Sequence, residues 1–130
     1  MSSCVAGFVD PGESLVECVA RECAEEAGVI IDPQSIQMIG SHHWPNPSGS
    51  LMLGCIVTTQ TTNPSPCDHE IEAVRWFSPN ELKEAVTVSN NNPGLRMGKG
   101  PQDPNLLFVP PRGAIANFII STWLKNYHNL

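Results

Sequence analysis

Apolar and polar positions along this chain predict three helices and several short strands. Residues 4–8, Cys-Val-Ala-Gly-Phe, read as a short β-like segment running into the turn signal Asp10-Pro11-Gly12. From Leu15 to Ala27 the apolar residues Leu15, Val19, Cys23 and Ala27 recur every fourth position and mark one helix face. Ser14 stands as the N-cap, Glu17 three residues later completes a capping box, and Gly28 supplies the left-handed residue that ends the helix. Residues 36–41 and 50–58 read as strands separated by a Pro-rich turn. After a polar stretch at 61–68, residues 71–77 read as another. Ser78-Pro79-Asn80-Glu81 is a second capping box with Pro at the first helical position, opening a short helix to about Ala85. Residues 89–105 are rich in Asn, Gly and Pro without an apolar period, as in loops that are either functional or disordered. The last helix, from Ala114 to about Lys125, carries Ile115, Phe118, Ile119 and Trp123 and is expected to pack on the sheet.

At 130 residues, the chain has room for one core, so a single domain is expected over residues 1–130. Its apolar runs are far shorter than a membrane span, and no charged-then-apolar leader opens it, which predicts a soluble protein without a signal peptide. A net charge of −6 disfavours non-specific nucleic-acid binding, which needs clustered Lys and Arg. An acidic protein that handles phosphates usually bridges the repulsion with metal ions. The five cysteines are odd in number and form no CxxC pair, which argues against a zinc site and a disulfide framework and fits a reducing compartment.

Charge on the first helix changes the picture. Glu22, Glu25 and Glu26 stand at i, i+3 and i+4, so their carboxylates share one face, and Arg21 is the only cation of that helix. A solvated acidic face is the ordinary outcome of such a run. A hard divalent cation is the other, because Mg²⁺ prefers carboxylate and water oxygens and then binds substrate phosphates.

The surrounding spacing decides between them. Gly7, Glu13, Arg21, Glu22, Cys23, Glu25, Glu26, Gly28 and Val29 follow a fixed order: Gly, five residues, Glu, seven residues, Arg-Glu, an apolar residue, one more, Glu-Glu, one more, Gly and an apolar residue. At average residue usage such a match arises by chance less than about once per ten million starting positions. The pattern resembles the signature box of the Nudix hydrolases. The resemblance implies an α+β fold, a Nudix-type α/β/α sandwich with a mixed sheet, and a loop–helix–loop holding one to three divalent ions, Mg²⁺ or Mn²⁺. Glu22, Glu25 and Glu26 are then the metal ligands and catalytic residues, one of them serving as general base for the attacking water. Gly7, Glu13, Arg21 and Gly28 are implied as structural parts of the motif, with Glu13 and Arg21 stabilising the loop and orienting the glutamates.

Residues 41–52, Ser-His-His-Trp-Pro-Asn-Pro-Ser-Gly-Ser-Leu-Met, resemble the second signature of the NADH pyrophosphatase family, Ser-Gln-Pro-Trp-Pro-Phe-Pro followed by Ser-Leu-Met. Ser41, Trp44, Pro45, Pro47 and the Ser50-Leu51-Met52 tail are kept, while His42, His43 and Asn46 depart from it. The resemblance implies substrate contacts at His42 and Trp44, where a rigid turn with a packed Trp is the plainer alternative. A metal pair at His42-His43 is disfavoured, since adjacent strand residues point to opposite faces. In the same family Glu70 matches a fourth acidic metal ligand, and Glu72, two residues on, is a second candidate. Phe8 matches an aromatic that stacks on adenine, with a simple core position as the alternative. Ala116 matches a position whose backbone contacts that base.

The resemblance covers nearly the whole chain and is greatest toward the peroxisomal branch of that family in animals, which ends in Pro-Asn-Leu where this chain ends His128-Asn129-Leu130. Peroxisome or cytoplasm is therefore implied. Family members carry further strands before the position of Met1, so N-terminal strands are expected to be missing, as in an isoform, a fragment or an incomplete gene model. The function implied is hydrolysis of NADH or NAD⁺ to nicotinamide mononucleotide and AMP, with NAD-capped RNA as a chemically equivalent substrate. The dinucleotide is the expected partner, a homodimer is compatible with the family, and no membrane is involved. Two rivals stand beside this: another Nudix specificity, such as ADP-ribose or a nucleoside triphosphate, and a truncated non-catalytic nucleotide-binding module.

Overall fold

Helix α1 (Leu15–Ala27) forms where its two ends are chemically defined. Ser14 Oγ accepts the Glu17 N–H at 3.2 Å while the Glu17 carboxylate accepts the Ser14 N–H at 2.8 Å. These bonds satisfy donors that a helix N-terminus otherwise leaves without partners. At the other end Gly28 turns to φ 62 and ψ 28, and its N–H reaches the Ala24 carbonyl at 3.0 Å. That left-handed turn costs a residue with a Cβ about 1–2 kcal/mol, which is why glycine stands there.

The computed structural model describes residues 2–45, 49–66, 71, 73–92 and 107–127. They fall into two compact units. The first combines Cys4–Gln37 with Ile56–Trp76. Its core is Ala27, Val29 and Ile31, with Val19, Ala20, Cys23, Ile36, Val57 and Val74 packed around them. Burial of each Val or Ile contributes about 1.5–3 kcal/mol, so one face of α1 is held by the segment that follows it. An antiparallel bridge joins Ile31 to Thr59, and Asp32 N–H reaches the Thr58 carbonyl at 2.9 Å. A short 3₁₀ turn, Pro33–Ser35, is capped by the Asp32 side chain.

The second unit combines residues 2–3, Met38–Cys55 and residues 77–127. It holds most of a hairpin made of β1 (Gln37–Trp44) and β2 (Ser50–Ile56). Five residues link the strands, too few for a parallel crossover, so the pair is antiparallel. Helices α2 (Pro79–Asn91) and α3 (Ile115–Tyr127) pack on each other. Gly40 on β1 lies against Phe118 of α3, and Gly54 on β2 against Ile115 and Ile119. Ala85, Val109, Ala116, Ile120 and Leu124 are buried here.

The α+β class expected from the sequence is the one observed, and both capping boxes form as read. Four local expectations differ. Residues 4–8 and the described part of 71–77 form no strand, because a strand needs a hydrogen-bonded neighbour and none lies beside them among the described residues. Strand β1 runs on to Trp44. Helix α2 runs on to Asn91, six residues past the expected end, because Ala85 and Ser89 one turn apart are both buried and extend its packed face.

Candidate active site

The centre of the box is Arg21, one of the seven cations in the chain. Its Nε donates to Glu13 Oε1 at 2.7 Å and its Nη2 to Glu13 Oε2 at 3.0 Å, a two-pronged contact. Such paired charge-assisted bonds fix orientation as well as energy. Nη2 also donates to the Phe8 carbonyl at 2.9 Å, which ties the loop to the helix. Nη1 is shared between Glu22 Oε1 at 2.9 Å and Glu25 Oε2 at 3.2 Å. One guanidinium therefore sorts the acidic residues: Glu13 takes one edge and the two glutamates divide the other.

Glu13 is held in turn by the Asp10 N–H, which reaches Oε2 at 2.9 Å. The Arg21 hydrogen bonds, followed by that backbone donor, pull the Glu13 carboxyl from 4.5 down to about 2. The same contact with Glu13 pushes the Arg21 guanidinium above its usual range. Burial is the first cause that raises the Cys18 thiol, whose Sγ lies 3.5 Å from the Phe8 carbonyl.

Gly7 is explained by Glu22. A Cβ at residue 7 would stand 1.9 Å from Glu22 Cδ and within 2.3 Å of both carboxylate oxygens, so the glutamate folds over a bare backbone. Glu26 accepts the Ala6 N–H at 3.3 Å. Glu22 and Glu25 thus lean on Arg21 while Glu26 leans on the loop, and as placed no three His, Cys, Asp or Glu side chains converge on one point among the described residues. The donor chemistry nevertheless fits a hard divalent cation. Residues 7–29 carry six acidic side chains against one Arg, and the three glutamates offer only carboxylate oxygens.

The remaining sequence-derived candidates are placed as follows. Phe8 is 81% exposed, which removes the core alternative and leaves its ring open to a ligand. His42 and Trp44 share one face of β1, their ring centroids 6.3 Å apart, and Trp44 is exposed. His43 is exposed on the opposite face. Ala116 is buried in the first turn of α3. Glu70 and Glu72, together with Asn46, Pro47, Ser48 and residues 93–105 of the expected loop, lie outside the described residues.

Sequence reasoning missed two features. Asp10 both anchors Glu13 through its N–H and brings its carboxylate to 3.8 Å from Arg21 Nε. The turn signal at Asp10-Pro11-Gly12 is where it was legible. The second is an open cleft of about 770 Å³ in the second unit, bordered by His42, Asn90, Arg112, Ile115, Phe118 and Lys125 among others. Nothing in a linear pattern announces it, because its walls come from β1, α2 and α3.

The Nudix domain family matches residues 2–96. A NAD-capped RNA hydrolase of Caenorhabditis elegans is 38% identical over 124 residues, covering 92% of this chain and 33% of that protein. A human NAD-capped RNA hydrolase is 36% identical over 130 residues, covering 100% of this chain and 25% of that protein. A human mitochondrial NAD(P)H pyrophosphatase is 38% identical over 130 residues, covering 96% of this chain and 34% of that protein. The chain spans about a quarter to a third of the length of these relatives.

Proposed function

The chain belongs to the Nudix family, and on that premise we propose that it hydrolyses the pyrophosphate bond of NADH or NAD⁺, giving nicotinamide mononucleotide and AMP. NAD-capped RNA, which carries the same bond, belongs to the same substrate class. The observation that carries the proposal is the helix face on which Arg21 holds Glu22 and Glu25 while the Ala6 N–H holds Glu26. The descriptions of the relatives as NAD-capped RNA hydrolases and an NAD(P)H pyrophosphatase support the substrate class.

Glu22, Glu25 and Glu26 would hold Mg²⁺ or Mn²⁺, and Glu70 is proposed as a fourth ligand. Bound there, the ion supplies positive charge to the pyrophosphate oxygens and lowers the pKa of a water. Arg21, clamped by Glu13 and the Phe8 carbonyl, keeps loop and helix in register, which limits how far the carboxylates must turn to meet an ion. One of the three glutamates accepts the proton of the attacking water, a contribution of about 10²–10⁴-fold for a well-placed base. The exposed Phe8 ring is proposed to stack on adenine, and Ala116, His42 and Trp44 are proposed as substrate contacts. We include in the proposal that the whole chain works as one Nudix domain, competent to form a homodimer, in the peroxisome or cytoplasm, although one relative is described as mitochondrial. No helix among the described residues is long and apolar enough to cross a membrane.

The test is AMP release from NADH with Mg²⁺ or Mn²⁺, comparing the chain with Glu25→Gln and checking both folds by circular dichroism. Loss of AMP release by about 10²-fold or more in the variant is the expected result. Equal release from both would remove the glutamates from the reaction. No release from either, with both folded, would leave a nucleotide-binding module, and a panel with ADP-ribose and nucleoside triphosphates would expose another Nudix specificity.

A further inference from the structure

We propose that Arg21 is the resident cation of the glutamate face, and that loading a divalent ion is an exchange at Glu25. The Glu25 carboxylate leaves Arg21 Nη1 for the ion, while Glu13 and Glu22 keep the guanidinium. This rests on the hydrolase reading above, which assigns the ion to Glu22, Glu25 and Glu26.

The face already holds a cation. Nη1 donates to Glu22 Oε1 at 2.9 Å and to Glu25 Oε2 at 3.2 Å, and no three acidic side chains converge among the described residues. Mg²⁺ seeks the same kind of oxygen that this nitrogen holds. One carboxylate oxygen cannot serve both at full strength, because the two cations repel across it. At least one glutamate must therefore turn from Arg21 for an ion to bind.

Burial and bonding say which one turns. The Glu13 side chain is 12% exposed, grips two guanidinium nitrogens and is also held by the Asp10 N–H. The Glu22 side chain is 14% exposed and lies over the bare backbone of Gly7. It gives Arg21 only Oε1, which leaves Oε2 to serve an ion without breaking that bond. The Glu25 side chain is 60% exposed and is tied to Arg21 by a single 3.2 Å bond. This i, i+4 pair has its acid on the C-terminal side, the weaker polarity on a helix. Moving Glu25 uncovers no buried charge, and exposed pairs hold little against competition.

Arg21 can spare it. The carboxylates of Asp10, Glu13, Glu22 and Glu25 all lie within 3.8 Å of its nitrogens, so the guanidinium keeps partners after Glu25 turns. Its bonds to Glu13 and the Phe8 carbonyl use Nε and Nη2, so the loop stays clamped throughout. A monovalent ion brings no more charge than the guanidinium already supplies, so the exchange favours a divalent one.

The experiment follows the guanidinium itself, by nitrogen NMR of the full chain labelled at arginine and titrated with Mg²⁺ in the absence of nucleotide. The Arg21 Nη1 signal should shift as Mg²⁺ is added, while Nε, bonded to Glu13, stays in place. Glu25→Ala should shift Nη1 in the same direction with no ion present, since Nη1 is then left to Glu22 alone. K⁺ at matched ionic strength should leave Nη1 where it is. Ion binding is read separately, by water-proton relaxation with Mn²⁺. Binding with Nη1 unmoved, movement of Nε instead, no shift in Glu25→Ala, or an equal shift with K⁺ would overturn the exchange. Metal-dependent AMP release from NADH, measured in parallel, would then leave the hydrolase reading standing. Absence of ion binding would remove the metal assignment, and both readings with it.

Discussion

Replacing Gly7 by alanine isolates the placement of Glu22 from the stability of the fold. The new methyl carbon would stand 1.9 Å from Glu22 Cδ and 2.0 and 2.3 Å from its oxygens. Ordinary carbon contacts lie at about 3.5–4.0 Å, so the carboxylate must withdraw by roughly 1.5 Å or more. Withdrawal is easy for the fold, since the obstructing atoms are the end of a flexible side chain. The bond lost is the 2.9 Å contact with Arg21 Nη1, a partly exposed pair whose worth to the fold solvent screens. For the reaction the consequence is larger, because a misplacement of about 1 Å costs on the order of 10²-fold in rate. Gly12 supplies the contrast. It sits at φ 80, and a methyl group there would meet no atom within 4 Å, so Gly12→Ala should cost about 1–2 kcal/mol through the left-handed backbone alone. Urea unfolding and AMP release, measured on both variants at one metal concentration, should therefore rank them in opposite orders. Wild-type turnover by Gly7→Ala, or the same order in both assays, would refute the reasoning.

Acid stability should reveal Glu13. Its folded pKa is depressed to about 2 from an unfolded value of 4.5, so its contribution is fully present above pH 4.5 and is lost as pH falls toward 2. Urea midpoints of the chain and of Glu13→Gln should differ most above pH 4.5 and converge near pH 2; a difference that does not change with pH would exclude the Arg21 contact as its source. Ser89→Ala probes the second unit. The Ser89 hydroxyl lies 2.7 Å from the Val109 carbonyl and accepts the Val109 N–H at 3.0 Å, all of it buried. Its loss leaves those backbone groups unsatisfied and should lower stability by about 1–3 kcal/mol in urea unfolding, against a negligible change if water replaces the hydroxyl.

Local chemistry was the legible part of this fold. Ser14 with Glu17, Ser78 with Glu81, and Gly28 each act within one helical turn, and all three appear where the sequence put them. The hairpin was legible for the same reason, since a Pro-rich turn separates two apolar runs. What depends on distant partners was not. Residues 86–91, Val-Thr-Val-Ser-Asn-Asn, have poor helix propensity, yet they continue α2 because Ser89 is clamped to Val109, twenty residues away. The segments 4–8 and 71–77 have strand-like composition, but composition supplies no neighbour to pair with. In the box, spacing identified the acidic residues and named Arg21 as structural. It did not reveal that one guanidinium divides its two edges between Glu13 and the Glu22–Glu25 pair, which is a property of side-chain reach. Phe8 could be read as core or as exposed from sequence, and only its 81% exposure decides.

The two glycines of the hairpin have a further consequence. A methyl on Gly40 would meet Phe118 at 3.0 Å, and one on Gly54 would meet Ile115 and Ile119 at 3.1–3.2 Å. Both helix residues Ile115 and Phe118 also form walls of the cleft. The width of that cleft is thus set by Gly54, buried on β2, and by Gly40 in the cleft's own wall, where a single added carbon would press on α3. The opening between β1 and α3 can therefore be retuned at two strand glycines, with every polar group of the cleft left as it is.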